Sequence, residues 1–202
     1  RWDVASDLTA EEMVIYQKPM VVLENVAITP EMCQSWLKYV TPLIAEATSV
    51  EGRLSLKLDQ ASLNPNNPRN QTVVGQLLIH SAEVGPGPLS NQIITLVQQI
   101  NAVRKQDFTQ AVSTQQVWLQ MPEQKIDFEM HNGQVVHRNL NFNVGDVTIS
   151  SSGTVDIDGR MEMLAAMPIP DSWVQKSPLL AGMQGQSLKF PVHGTLSSPQ
   201  LD

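Results

Sequence analysis

Four histidines (His80, His131, His137 and His193) and a scatter of carboxylates are the side chains that could hold a metal ion or move a proton. Metal ligation needs a tight spacing such as H-E-x-x-H, and no pair of these histidines makes one. Three fall in expected strands and one beside a turn, so solvated or hydrogen-bonded imidazoles are the expectation. Asp156 and Asp158 lie two apart around a turn, and Asp127 and Glu162 fall on the polar rows of strands. Acid–base work by paired carboxylates needs unequal, partly buried environments, which a solvated sheet face does not supply. No G-x-S-x-G elbow, P-loop or G-x-G-x-x-G is present. Gly85-Pro86-Gly87-Pro88 precedes a helical pattern but lacks the Lys and Ser/Thr of a phosphate loop, and reads as a linker turn. Asn70-Gln71-Thr72 matches a glycosylation sequon, a tripeptide common by chance. With Cys33 as the only cysteine, an internal disulfide framework and a cysteine-based zinc site are both ruled out. No enzyme, metal or organic cofactor is expected from these residues.

Composition narrows the remaining classes. The 202 residues allow one large domain or two small ones. A net charge of −7 argues against nucleic acid as a partner and against a polybasic membrane-surface module. At 42% hydrophobic and 16% charged, the chain is too apolar for disorder. Aromatics are 5% against nine methionines, so apolar surfaces should be aliphatic and soft. No run approaches the ~20 apolar residues of a membrane span, and no signal peptide is visible. The opening Arg1-Trp2-Asp3 reads as an expected excision from a longer protein.

The elements follow from periodicity. Trp2 to Ala27 reads as β with a break at Lys18-Pro19. Thr29 can cap a helix that starts at Pro30, with Cys33, Trp36, Leu37, Val40, Leu43, Ile44 and Ala47 on its apolar side; Pro42 should kink or split it. Leu54, Leu56 and Leu58 alternate with polar residues as a half-buried strand, and Val73, Leu77 and Ile79 line another over Thr72 to Val84. A second helix carries Ile93, Leu96, Val97, Ile100 and Val103. A third, short one can start at Asp171, after Pro168-Ile169-Pro170. The last strand holds Leu188, Phe190, Val192 and Leu196, with Pro191 and Pro199 placing it near an edge.

From Gln115 onward, turn signals at Asn132-Gly133, Gly145-Asp146 and Asp158-Gly159 recur every 13 residues. That spacing predicts an up-and-down antiparallel meander. Ile126, Phe128 and Met130 form one apolar row; Val136, Leu140, Phe142 and Val144 form the next. For these rows to share a face, Asn132-Gly133 needs a three-residue bulged loop, and so does Asp158-Gly159. At Gly145-Asp146 a two-residue loop suffices, pairing Val144 with Val147 and Phe142 with Ile149. Val155 should then meet Met161, and Gly153 should meet Met163. The opposite face carries Lys125, Asp127, Glu129, Asn139, Asn141, Asn143, Thr148, Thr154, Asp156 and Glu162. The expectation is therefore a mainly β fold with α (α+β). It is a long antiparallel meander sheet forming a β-groove or curved sheet, partly covered by two or three amphipathic helices. The chain reads as one domain over 1–202, loosely a helix-containing β segment over 1–110 and the meander over 111–202. Its candidate site is the apolar face: Ile126, Phe128, Met130, Leu140, Phe142, Val144, Val147, Ile149, Val155, Met161, Met163, Leu188, Phe190 and Val192. Met130, Met161, Met163, Met167 and Met183 suit either an adaptable lipid or peptide surface or ordinary core packing.

Two stretches carry a family likeness. Phe128 to Met163 contains Gly153-Thr154-Val155-Asp156-Ile157-Asp158-Gly159-Arg160, and Phe190 to Leu201 contains Gly194-Thr195-Leu196-Ser197-Ser198-Pro199. Together they resemble the C-terminal region of AsmA-like and TamB-like envelope proteins, over roughly Gln115 to Leu201. The resemblance implies a periplasmic β-groove protein of a double-membrane envelope, with its parent anchored in the inner membrane. Such a protein carries phospholipid toward the outer membrane and supports outer-membrane biogenesis. It implies no catalytic residue. Gly52-Arg53-Leu54-Ser55-Leu56 faintly echoes Gly159-Arg160-Met161-Glu162-Met163. The departure is the helices near Pro30, Ser90 and Asp171, which could fill the groove.

Two functions follow. In one, the apolar face binds phospholipid or another acyl lipid, at about 0.8 kcal/mol per buried CH₂. In the other, the chain's own helices close that face, leaving a non-enzymatic structural or docking cap that takes an envelope protein partner on an edge strand. They differ in whether the face of Phe128, Phe142 and Ile149 is open.

Overall fold

The computed structural model describes residues 2–5, 14–64, 67, 69–105, 119–145, 147–169, 174 and 185–202. Its twelve strands form one sheet, antiparallel at every pairing. They are β1 (Trp2–Ala5), β2 (Val14–Gln17), β3 (Met20–Ala27), β4 (Val50–Leu63), β5 (Thr72–Val84), β6 (Leu119–Met121), β7 (Gln124–His131), β8 (Gln134–Val144), β9 (Val147–Asp156), β10 (Arg160–Pro168), β11 (Ser187–Thr195) and β12 (Ser198–Leu201). The main path runs β1-β2-β4-β5-β6-β8-β9-β10-β11-β12, with β3 on β4 and β7 between β5 and β8. Because β5 pairs with both β6 and β7, the early strands and the meander share one sheet. The break at Lys18-Pro19 falls between β2 and β3, as a proline without an N–H requires.

Apart from Val174, helical structure among the described residues lies in two places. Thr29 caps the first, its Oγ1 accepting the Met32 N–H at 3.3 Å, with Pro30 at the first helical position. From there α1 (Pro30–Met32) passes through a π-helical stretch, Cys33–Leu37, into α2 (Lys38–Val40). Pro42 ends that run and starts a 3₁₀ turn, Pro42–Ile44, so the expected split occurs at Thr41. The Thr41 hydroxyl is buried there and donates back to the Leu37 carbonyl at 3.0 Å. The second is α3 (Pro88–Lys105), where the buried Ser90 hydroxyl accepts the Gly87 N–H at 2.7 Å. The helix expected from Asp171 lies outside the described residues, apart from Val174.

Two of the three turn expectations hold. β8 and β9 pair up to Val144 opposite Val147, and Phe142 faces Ile149. Val155 faces Met161 and Gly153 faces Met163 across the loop at Gly159, whose φ is +87°. The third is corrected. His131 pairs with Gln134, so Asn132-Gly133 is a two-residue loop with φ of +52° and +76°, the signature of a type I′ turn. That turn would put the two apolar rows on opposite faces. The sheet resolves the conflict further along β8, where a register shift between His137 and Leu140, with Asn139 at φ +58°, inserts an extra residue. Up to His137 the odd residues point inward; from Leu140 the even ones do. Val136, expected on the apolar row, therefore lies half-buried beside Glu129 and Thr154, while Val135 and His137 take the inner positions.

Candidate functional site

The inner sheet face brings the expected residues together. Ile126, Phe128, Leu140, Phe142, Val144, Val147, Ile149, Val155, Met161, Met163 and Val192 are buried there, while Met130, Leu188 and Phe190 are half-buried. Phe142, Leu140, Ile126 and Val155 are fully buried, at 0% exposure. Burying a side chain of this size contributes about 1.5–3 kcal/mol. Leu54 and Leu56 of β4 extend the same face, as Met161 and Met163 do on β10, so the internal sequence echo marks equivalent inward rows. Leu37, Val40, Leu43 and Ile44 of the first helical segment belong to the same apolar cluster as the sheet residues. So do Leu89, Ile93, Ile94 and Val97 of α3.

His137, like Val135, is an inner-face residue that sequence reasoning missed. It sits opposite Phe128 on β7 and Gly153 on β9, fully buried. Its Nε2 lies 3.5 Å from the Ser151 hydroxyl, and its Nδ1 has no hydrogen-bond partner. Burial pushes its pKa down to about 4. Of the titratable groups on neighbouring elements, Tyr39 on α2 donates to the Ile157 carbonyl at 3.1 Å, with Lys38 5.3 Å from its ring centre. Asp127, Glu129 and Asp156, on the flanking strands, belong to the other sheet face. Assuming a two-residue Asn-Gly turn would have placed His137 opposite Phe128 from the sequence alone.

The other histidines are engaged on the outer surface or at edges. His80 Nε2 is 2.9 Å from the Ser55 hydroxyl, His131 Nδ1 is 3.3 Å from Thr72, and His193 lies between Gln200 at 3.0 Å and Asp202 at 3.5 Å. Several carboxylates of the polar face and its turns sit in ion pairs. Glu129 meets Arg138 at 3.0 Å, and Asp158 meets Arg160 at 2.9 Å, whose guanidinium hydrogen bond lowers the Asp158 pKa. Burial raises the pKa of the half-buried Cys33 thiol. Among the described residues, no group of three or more His, Cys, Asp or Glu could hold a metal ion. Nor is any described helix long and apolar enough to cross a membrane.

One cleft adjoins the apolar face. It has a volume of about 510 Å³ and lies between α3 and the β11–β12 end of the sheet, with Leu96, Gln99, Phe190 and Leu201 in its walls. Of the half-buried face residues, Phe190 lines it. No family model, curated protein sequence or solved structure matches the chain.

Proposed function

We propose that this chain is a non-catalytic docking module of the cell envelope whose apolar sheet face is closed by its own helices. The carrying observation is the complete burial of Phe142, Leu140 and Ile126 in one cluster with Leu37, Leu43, Ile93 and Val97. An acyl chain on that face would have to displace these side chains, losing packing as favourable as its own. The envelope setting rests on the likeness of the two motif stretches to AsmA-like proteins. Phospholipid binding is the second reading, and what favours it is the cleft beside Phe190, with Leu188 and Phe190 only half-buried.

Lipid extraction of the purified chain followed by mass spectrometry separates the two. A folded, lipid-free protein is the expected result. One phospholipid per chain, lost in Phe190→Asp, would overturn the closed reading in favour of lipid carriage.

A further inference from the structure

We propose that residues 29–47 form a flap over β8 and β9 that opens when His137 takes up a proton. The inference rests on the closed-face reading and names how that closure is regulated.

The flap is held at its base and at its tip. At the base, Ile28 donates to the Gly52 carbonyl at 2.9 Å, and Thr48 donates to the Pro86 carbonyl at 2.8 Å. Beside the second of these, Glu46 takes a left-handed φ of +57°, which few non-glycine residues adopt, and marks where the chain can pivot. At the tip, α2 lies against β8 and β9, and Tyr39 donates to the Ile157 carbonyl at 3.1 Å. Between base and tip run α1, the π-helical stretch, α2 and the 3₁₀ turn, each of three to five residues. Helices this short do not stand alone in water. The flap therefore keeps its shape only while Leu37, Val40, Leu43 and Ile44 stay buried.

His137 lies on the same strands as the tip. Along the ladder, Ile157 donates to the Gly133 carbonyl at 2.8 Å, Val135 faces Val155, and His137 faces Gly153. The imidazole is thus about 13 Å along the strand from the Tyr39 tie, close to the roughly 10–12 Å width of one helix with its side chains. It is fully buried, and its Nδ1 has no partner. A proton there adds a buried charge and leaves an N–H unanswered.

Nothing charged answers it among the described residues. Lys125, Asp127, Glu129, Arg138 and Asp156 belong to the other sheet face, and His131 meets Thr72 at the strand end. On the flap, Glu31 and Glu46 are exposed. Its other titratable groups are the Tyr39 hydroxyl, already donating, the Lys38 ammonium near the Tyr39 ring and the half-buried Cys33 thiol. None of these three stabilises a cation. At His137 β8 is paired on both sides, so the flap is the part that yields.

The test is amide hydrogen exchange on the intact chain from pH 7 to pH 4, corrected for the intrinsic pH dependence and repeated at several urea concentrations. The flap is read at the Thr41 and Ala45 amides, which bond to the Leu37 and Pro42 carbonyls at 2.8 and 3.1 Å. His137 moves from a pKa of about 4 when covered to an ordinary 6.5 when open. Flap protection should therefore fall about a hundredfold, with little dependence on urea. The β8–β9 amides should stay better protected and keep a steep urea dependence. His137→Phe and His137→Gln should each flatten the slope, and either one suffices if the other does not fold. Tyr39→Phe removes only the tie, so it should lower flap protection severalfold at pH 7 and keep the slope. An unchanged slope in a folded His137 variant would overturn the proposal. So would flap and sheet amides that lose protection together with equal urea dependence, or a Tyr39→Phe flap as protected as the parent's. Lipid extraction at pH 7 reports separately on the closed-face reading, so a lipid-free chain whose flap ignores acid defeats this inference alone.

Discussion

The side chain of Gln124 acts as a substitute peptide group for Asn141. Its Nε2 donates to the Asn141 carbonyl at 2.6 Å, while its Oε1 accepts the Asn141 N–H at 2.7 Å. The pair spans the place where Pro122-Glu123 interrupts the strand formed by β6 and β7, between the Gln120–Asn143 and Asp127–Arg138 pairings. One side-chain amide thereby closes a gap in the ladder of β8.

Removing that amide should be felt well beyond one surface hydrogen bond. Gln124→Ala leaves both Asn141 main-chain groups unpaired, at a cost of about 1–3 kcal/mol. Gln124→Glu keeps the acceptor and loses the donor, and should fall between. Urea unfolding midpoints of the two variants check the order; an Ala variant as stable as the parent would show that water replaces the amide without loss.

Acid should weaken the fold through His137. Its pKa is near 4 when folded, against an ordinary 6.5, so the unfolded chain binds a proton that the folded chain refuses. Stability is complete above about pH 6.5 and falls as pH drops toward 4, reaching a loss of about 3 kcal/mol. Below that the contribution is constant. His137→Leu should flatten this slope between pH 6.5 and 4. An identical pH profile in the variant would assign the acid sensitivity to other groups.

The bulge in β8 depends on a left-handed residue. Asn139, at φ +58°, tolerates that conformation, whereas a β-branched residue does not. Asn139→Val should cost about 1–3 kcal/mol. Asn139→Gly should be close to neutral. Thermal unfolding of the pair tests the assignment, since equal effects of Val and Gly would mean that the bulge is not strained.

Gly153 marks a close approach between β9 and β10. A Cβ built there would overlap the Glu162 carbonyl oxygen and Met163 Cα, neither of which is a flexible side-chain end. Gly153→Ala should therefore destabilise by about 1–3 kcal/mol, the range for overpacking a filled interior. Calorimetry would expose the error if the variant melted with the parent.

Much of the architecture is legible in the residues. Period-two rows place β4, β5 and β7 to β11, and Thr29-Pro30 places a helix start, because both signals are local. The Asn132-Gly133 loop departs from expectation for a physical reason. Parity demands one extra residue between the apolar rows, and the sequence does not say where along the hairpin it sits. A turn with both central φ positive fits Asn-Gly best, so the extra residue moves to Arg138-Asn139. The same displacement turns Val136 outward and His137 inward. Which helical residues join the sheet's apolar cluster is equally illegible, since Leu37, Leu43 and Ile93 lie far in the chain from the strands they share it with.

The order of strands in the sheet has a mechanical consequence. β1 and β12 sit at opposite ends of a path whose members mostly neighbour each other in sequence. A load applied between them crosses the strands rather than running along them, so the ladders open in succession like a zip instead of shearing together. What resists is the cross-bracing: Tyr39 on the Ile157 carbonyl and Gln92 on the Pro199 carbonyl. Under tension this protein should behave as a soft, stepwise-yielding element, with the helical segments that carry Tyr39 and Gln92 setting where the first step stops.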